Sequence, residues 1–286
     1  MEPSLKGTLW YLGLAFGLAW ISWEAPFLLG ANITPRNFQL YALPGSFAPA
    51  IAAIVVRKWI TREGFGDAGL KIDLRRWRYY IVAWLVPLAV ILVIAAEAWI
   101  FSIASADLSA EVALKAMGRM PPAAYLPYAG YIVVVQLLVQ AVLMTPVLWG
   151  EEFGWRGYLQ PRLFPGKPLQ ASVATGIIWA IWHYPLIFRG YNYPGQPWLG
   201  IALFPVTSIL LSIIFGWLRD MTGSVWAPSL AHSATNVIGG SLSLLWFYGA
   251  ASPVWIGYQG VLAWLPLGAF SIWIAVAGRT KPAGSQ

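Results

Sequence analysis

The chain of 286 residues has no cysteine, only two histidines, and only 10% Asp, Glu, Lys and Arg. Without cysteine there are no disulfides, no thiolate metal sites and no cysteine nucleophile. The shortage of charge excludes an ordinary soluble globule, in which about a quarter of residues are charged. No small-residue cleavage site follows a short apolar core, so the first apolar segment reads as a retained helix. No internal repeat is visible, and no folded basic module turns the net charge of +7 into an argument for nucleic acid.

What is present is apolar: 59% of residues are hydrophobic and the mean hydropathy is +0.65. Segments near the ~20 residues that a bilayer requires run at about 8–30, 38–60, 79–103, 125–149, 170–190, 198–218, 225–247 and 255–277. The expected fold is an all-α polytopic membrane helix bundle of about eight transmembrane helices. Eighteen tryptophans, among them Trp10, Trp23, Trp77, Trp198, Trp226 and Trp255 near segment ends, suit an aromatic belt. With a cytoplasmic N-terminus, 14 of the 18 basic residues fall inside and Arg36, Lys115, Arg119 and Arg189 outside. The expectation is an integral membrane protein with both termini cytoplasmic and with membrane lipid, some of it anionic, as a partner.

Along the chain, Pro44, Gly45 and Pro49 predict a bend in the second segment. Residues 61–78 read as the largest cytoplasmic loop, whose Leu74–Trp77 end lies on the membrane surface. Asp107, Glu111, Lys115 and Arg119 recur at four-residue steps and predict one charged helix face outside the membrane. Glu24 reads as a membrane-interface residue, and the link 189–198, rich in Tyr, Pro and Gly, as the lining of an entrance.

The polar chemistry is concentrated in Glu151-Glu152-Phe153-Gly154-Trp155-Arg156 at the end of the fourth apolar segment. Ionisable groups at such depth are costly. In a helix, Glu152 and Arg156 share a face, with the acid N-terminal to the base. Glu151 lies about 100° away and is left for another partner. His183 ends Trp179-Ala-Ile-Trp-His183, and His232 and Asn236 share a face four residues apart. Taken singly, each has a plain reading: the charges as an interfacial cluster, the histidines as interhelical hydrogen-bonders. Together they offer a base and several donors from three segments.

Glu151-Glu152-x-x-x-Arg156, Trp179-x-x-x-His183 and His232-x-x-x-Asn236, in that order on separate apolar segments, resemble the CPBP family. That family groups type II CAAX prenyl endopeptidases with bacteriocin-processing and self-immunity proteins. The likeness covers about residues 120–240, with softer similarities at 45–49 and 64–70. Its second motif usually begins with Phe, and Trp179 is expected to alter packing more than chemistry. The resemblance implies one integral-membrane protease domain over 1–278, followed by a polar tail at 279–286.

It also implies an intramembrane endopeptidase acting on a peptide or a lipidated protein. Glu151 would be the general base, His183 would hold water, and His232 with Asn236 would stabilise the oxyanion. Glu152 and Arg156 would support the helix end. Two versions of the chemistry stand open: a zinc ion held by His183, His232 and Glu151, and a metal-free glutamate mechanism. Two other function classes also stand beside it, a polar-lined membrane binding or transport protein and a catalytically silent bacteriocin-immunity scaffold.

Overall fold

The computed structural model describes residues 5–34, 37–250 and 252–277. Arg36 and the tail at 279–286, with its Lys281, lie outside the described residues. The molecule is an all-α polytopic bundle. Among the described residues, five helices are long and apolar enough to cross a membrane: α2 (Phe38–Ile60), α3 (Leu74–Ile100), α4 (Ala123–Arg162), α6 (Pro197–Thr222) and α8 (Pro253–Val276).

Three further helices coincide with the other expected segments but are less apolar or shorter. The first, α1 (Leu5–Leu28), contains Lys6, Glu24 and several Gly and Trp residues. The next, α5 (Pro168–Trp182), has 15 residues. The last, α7 (Trp226–Ala234), runs through a π-turn at Thr235–Gly240 into Ser241–Trp246 and carries Ser, His, Thr and Asn. Of the eight expected crossings, five thus meet both length and composition among the described residues.

The expected bend in α2 is present: helix ends at Ser46 after Pro44 and restarts at Ala48. Trp23 of α1 donates to the carbonyl of Ala42 at 2.8 Å, so α1 grips the segment just before the bend. Beyond it, Phe47 and Pro49 lie against α4 at Gly150 and Gly154. A Cβ on Gly150 would come 2.7 Å from the Phe47 ring, and one on Gly154 within 2.6 Å of the Pro49 backbone. The glycines flanking the two acids thus let the bent helix seat directly on the motif. On the opposite side, Ser233 of α7 donates to the Ala141 carbonyl of α4 at 2.6 Å.

Helices α5 and α6 approach backbone to backbone, as small residues permit in membrane proteins. A Cβ on Gly176 would lie 2.6 Å from Ile209 Cα, and Ser212 donates to the Ser172 carbonyl at 2.7 Å. This contact fixes the helix that ends in His183.

The charged face expected at 104–124 is replaced by a capped turn. Asp107 accepts from the backbone N–H of Ser109 and of Val112, and the helix that follows spans only Glu111–Ala116. An Asp side chain that bonds its own following backbone competes with helix, so regular spacing did not become a common face. Glu24 is paired with Arg189.

The loop after α2 is fastened to the bundle. Arg57, fully buried, donates to Asp67 Oδ1 at 2.7 Å, to the Gly64 carbonyl, and to the Gly157 carbonyl of α4 at 3.0 Å. Arg162 reaches Glu63 at 2.7 Å and Asp67 at 3.4 Å. Arg219 and Trp226 donate to the carbonyls of Asp67 and Leu70, and the Val225 N–H to that of Gly69. Burial pushes the Asp67 carboxyl up, but the hydrogen bond and charge of Arg57, together with Arg162, outweigh it and hold Asp67 below its ordinary value.

Candidate active site

Helix α4 is 40 residues long, roughly 60 Å at 1.5 Å per residue, twice the ~30 Å of a hydrocarbon core. Its apolar stretch ends where the acids begin, and its last turns widen into a π-turn at Trp155–Leu159 that carries Arg156. Such turns are frequent at functional sites. Glu152 and Arg156 are fully buried and paired at 3.0 Å, as the four-residue spacing predicts. The guanidinium lies over the rings of Trp179 at 5.3 Å and Phe215 at 5.2 Å. Each such contact is worth roughly 2 kcal/mol when desolvated.

The same Glu152 oxygen lies 2.9 Å from His232 Nδ1. A carboxylate accepts, so Nδ1 carries the proton and the Nε2 edge faces the other way. This ties α7 to α4. The sequence reading gave Glu152 one partner; it has two, from two helices.

Glu151, 4% exposed, does face elsewhere. Its Oε2 accepts a hydrogen bond from the Trp179 indole N–H at 2.9 Å. Tryptophan in place of phenylalanine thus brings a polar contact beside the packing: the indole N–H is a donor that a phenyl ring lacks. A hydrophobic pattern treats Trp179 as one more apolar residue, so only the swap itself hinted at the contact.

His183 sits where helix α5 stops, between Trp182 and the short helix Tyr184–Phe188. By residue count it lay too deep to meet His232 on a straight helix, and the chain breaks there. Its Nδ1 lies 2.9 Å from the Trp179 carbonyl, an acceptor, so its Nε2 is also the free edge. The two imidazoles flank one indole edge-on, His183 at 5.4 Å and His232 at 5.1 Å between centroids. Tyr191, from the link 189–198, lies parallel to the His183 ring at 6.2 Å, which brings that link against the site.

Glu151, His183 and His232 are thus gathered around Trp179. Asn236 lies one turn beyond His232, half-buried in the π-turn, and its side chain makes no hydrogen bond among the described residues. No three His, Asp or Glu side chains among the described residues form a group that could hold a metal ion. The zinc set of His183, His232 and Glu151 is not assembled in this arrangement among the described residues.

Residues 131–238 match the sequence model of the family described as type II CAAX prenyl endopeptidase Rce1-like. Every residue of the site, from Glu151 to Asn236, falls within that stretch. That stretch is similar to the CPBP/Rce1-like CAAX-protease family. A curated relative, CAAX prenyl protease 2 of Methanococcus maripaludis, is 36% identical over 74 residues, 24% of this chain. The match spans 27% of that relative's length, about a quarter. The matched stretch covers all but the first eight residues of α4, helices α5 and α6, and α7 with most of its π-turn. The preceding helices α1 to α3 lie outside the match, yet α1 and α2 supply Tyr11, Trp23 and Phe47, which wall the motif.

Proposed function

We propose that the protein is an intramembrane endopeptidase that hydrolyses a peptide bond with a water activated by Glu151. What carries the reading is the convergence of Glu151, His183 and His232 on Trp179 from two distant helix ends and a helix break, inside a stretch similar to the CAAX-protease family.

Glu151 takes a proton from water, and the resulting hydroxide attacks the scissile carbonyl. Glu151 then returns the proton to the departing amine. General base work of this kind contributes about 10²–10⁴-fold. His183, with Nδ1–H committed to a carbonyl, turns Nε2 toward the water and holds it. His232, with Nδ1–H on Glu152, offers Nε2 to the oxyanion in its imidazolium form, and the Asn236 amide supplies a second donor one turn away. An oxyanion donor is typically worth about 10²–10³ in rate. Arg156 and Glu152 keep both helices in register.

The proposal includes eight crossings, with α1, α5 and α7 added to the five longer helices. It sets the chain in the bacterial inner membrane with both termini in the cytoplasm. The 14 of 18 basic residues on one side support that orientation. The relative's name makes a prenylated C-terminal CAAX peptide the first substrate to try. Purified protein in proteoliposomes is expected to cleave a farnesylated CAAX reporter peptide, with Glu151→Gln inactive. Intact, folded protein that cleaves neither this peptide nor its unprenylated form would favour the silent immunity scaffold.

A further inference from the structure

We propose that Trp179 is a positioning residue of this active site: its indole N–H, and not merely its ring, fixes the oxygen of Glu151 that serves as base. The proposal rests on the protease reading above. Four observations meet at this residue, three on its side chain and one on its main chain. The N–H donates to Glu151 Oε2 at 2.9 Å, the one side-chain hydrogen bond to that carboxylate among the described residues. The ring stands edge-on to His183 and to His232. Its face receives the Arg156 guanidinium. Its carbonyl fixes His183 through Nδ1.

A glutamate has three rotatable side-chain bonds, so a base at this position must be held by something. The neighbouring residues cannot do it: Arg156 and His232 are both drawn to Glu152. Trp179, at 3% exposure, pins Oε2 in a wall without competing water and leaves Oε1 as the oxygen that can meet the substrate water. Phenylalanine would keep the three ring contacts and lose the donor. The N–H is thus separable from the packing.

A hydrogen bond to a charged group contributes enough that its loss should lower turnover by about tenfold or more. Trp179→Phe and, as the nearly isosteric case, β-(3-benzothienyl)alanine incorporated at position 179 both remove the N–H. In proteoliposomes with the farnesylated reporter peptide, both variants are expected to keep KM within about twofold and lose about tenfold in kcat. The acid limb of the kcat profile should move to higher pH, because the donor that favours the ionised carboxylate has gone. Thermal unfolding in detergent should be unchanged for the benzothienyl variant.

Unchanged kcat and pH profile in both variants would overturn the proposal, as would a loss of kcat accompanied by lower stability with the acid limb unmoved. A readout independent of turnover is the indole region of a ¹⁵N-TROSY spectrum. The resonance absent in Trp179→Phe should shift in Glu151→Gln, and if it stays in place the contact is refuted. Wild-type protein that cleaves nothing while that resonance does shift would instead defeat the protease reading and leave the contact standing.

Discussion

His232 Nδ1 lies 2.9 Å from Glu152 Oε1, the same oxygen that Arg156 reaches at 3.0 Å. One carboxylate oxygen therefore joins two helices whose contributing residues are 80 positions apart in the chain. Arg156 has no other acceptor among the described residues, so its charge depends on this acid.

The two adjacent acids should accordingly respond differently to the same substitution. Glu152→Gln leaves a buried guanidinium without its counter-charge, a change that typically costs about 3–5 kcal/mol. A clear drop in thermal stability in detergent is expected together with loss of activity. Glu151→Gln keeps shape and removes the base, so unfolding should be little altered while cleavage falls about 100-fold or more. A stable but inactive Glu152→Gln beside a fully active Glu151→Gln would reverse the assignment.

Orientation can be read without removing any native thiol, because the chain has none. Lys71 and Lys115 are both exposed and lie on opposite sides of the proposed topology. A membrane-impermeant maleimide applied to intact cells should label the Lys115→Cys variant and leave Lys71→Cys unlabelled until the membrane is opened. The opposite pattern would invert the protein.

The role of metal is testable by its removal. If Glu151 acts as a base rather than as a ligand, prolonged incubation with a strong zinc chelator should leave cleavage of the reporter peptide within about twofold. Loss of activity that returns on adding zinc would make Glu151, His183 and His232 a ligand set formed only around the ion.

Asp67 makes stability depend on pH at the end of the bundle that carries the loop after α2. Its carboxyl is held below its ordinary value, so its contribution is complete above the unfolded value of about 3.9 and fades as pH falls through the lower folded value. The unfolding temperature should decline below about pH 4. Asp67→Asn should lower it at neutral pH and flatten that part of the acid dependence. A variant that follows the wild-type curve throughout would show that Asp67 does not anchor Arg57 and Arg162.

Much of the site was legible because helices impose arithmetic. The Glu152–Arg156 pair follows from a spacing of four, the bend in α2 from Pro44 and Pro49, and the break at His183 from the depth at which it would otherwise lie. Contacts that join distant segments leave no such trace. Nothing local predicts that Trp179 donates to Glu151 or that Arg57 reaches Gly157, 100 residues further on. Spacing also misled: Asp107 caps a turn, where periodicity suggested the start of a charged face. The family match runs over residues 131–238, where the legible motifs lie, and leaves the helices that wall them outside it.

The loop between α2 and α3 is held chiefly by its main chain. The carbonyls of Gly64, Asp67, Gly69 and Leu70 receive Arg57, Arg219, Val225 and Trp226. A carbonyl is the same whichever side chain stands beside it, so apart from Glu63 and Asp67, whose carboxylates hold Arg57 and Arg162, and Gly69, where a Cβ would strike Arg219, this segment can change its letters and keep its grip. It cannot change its length. One added residue would carry every later carbonyl past its donor and, through Arg57, loosen the turn that holds Arg156.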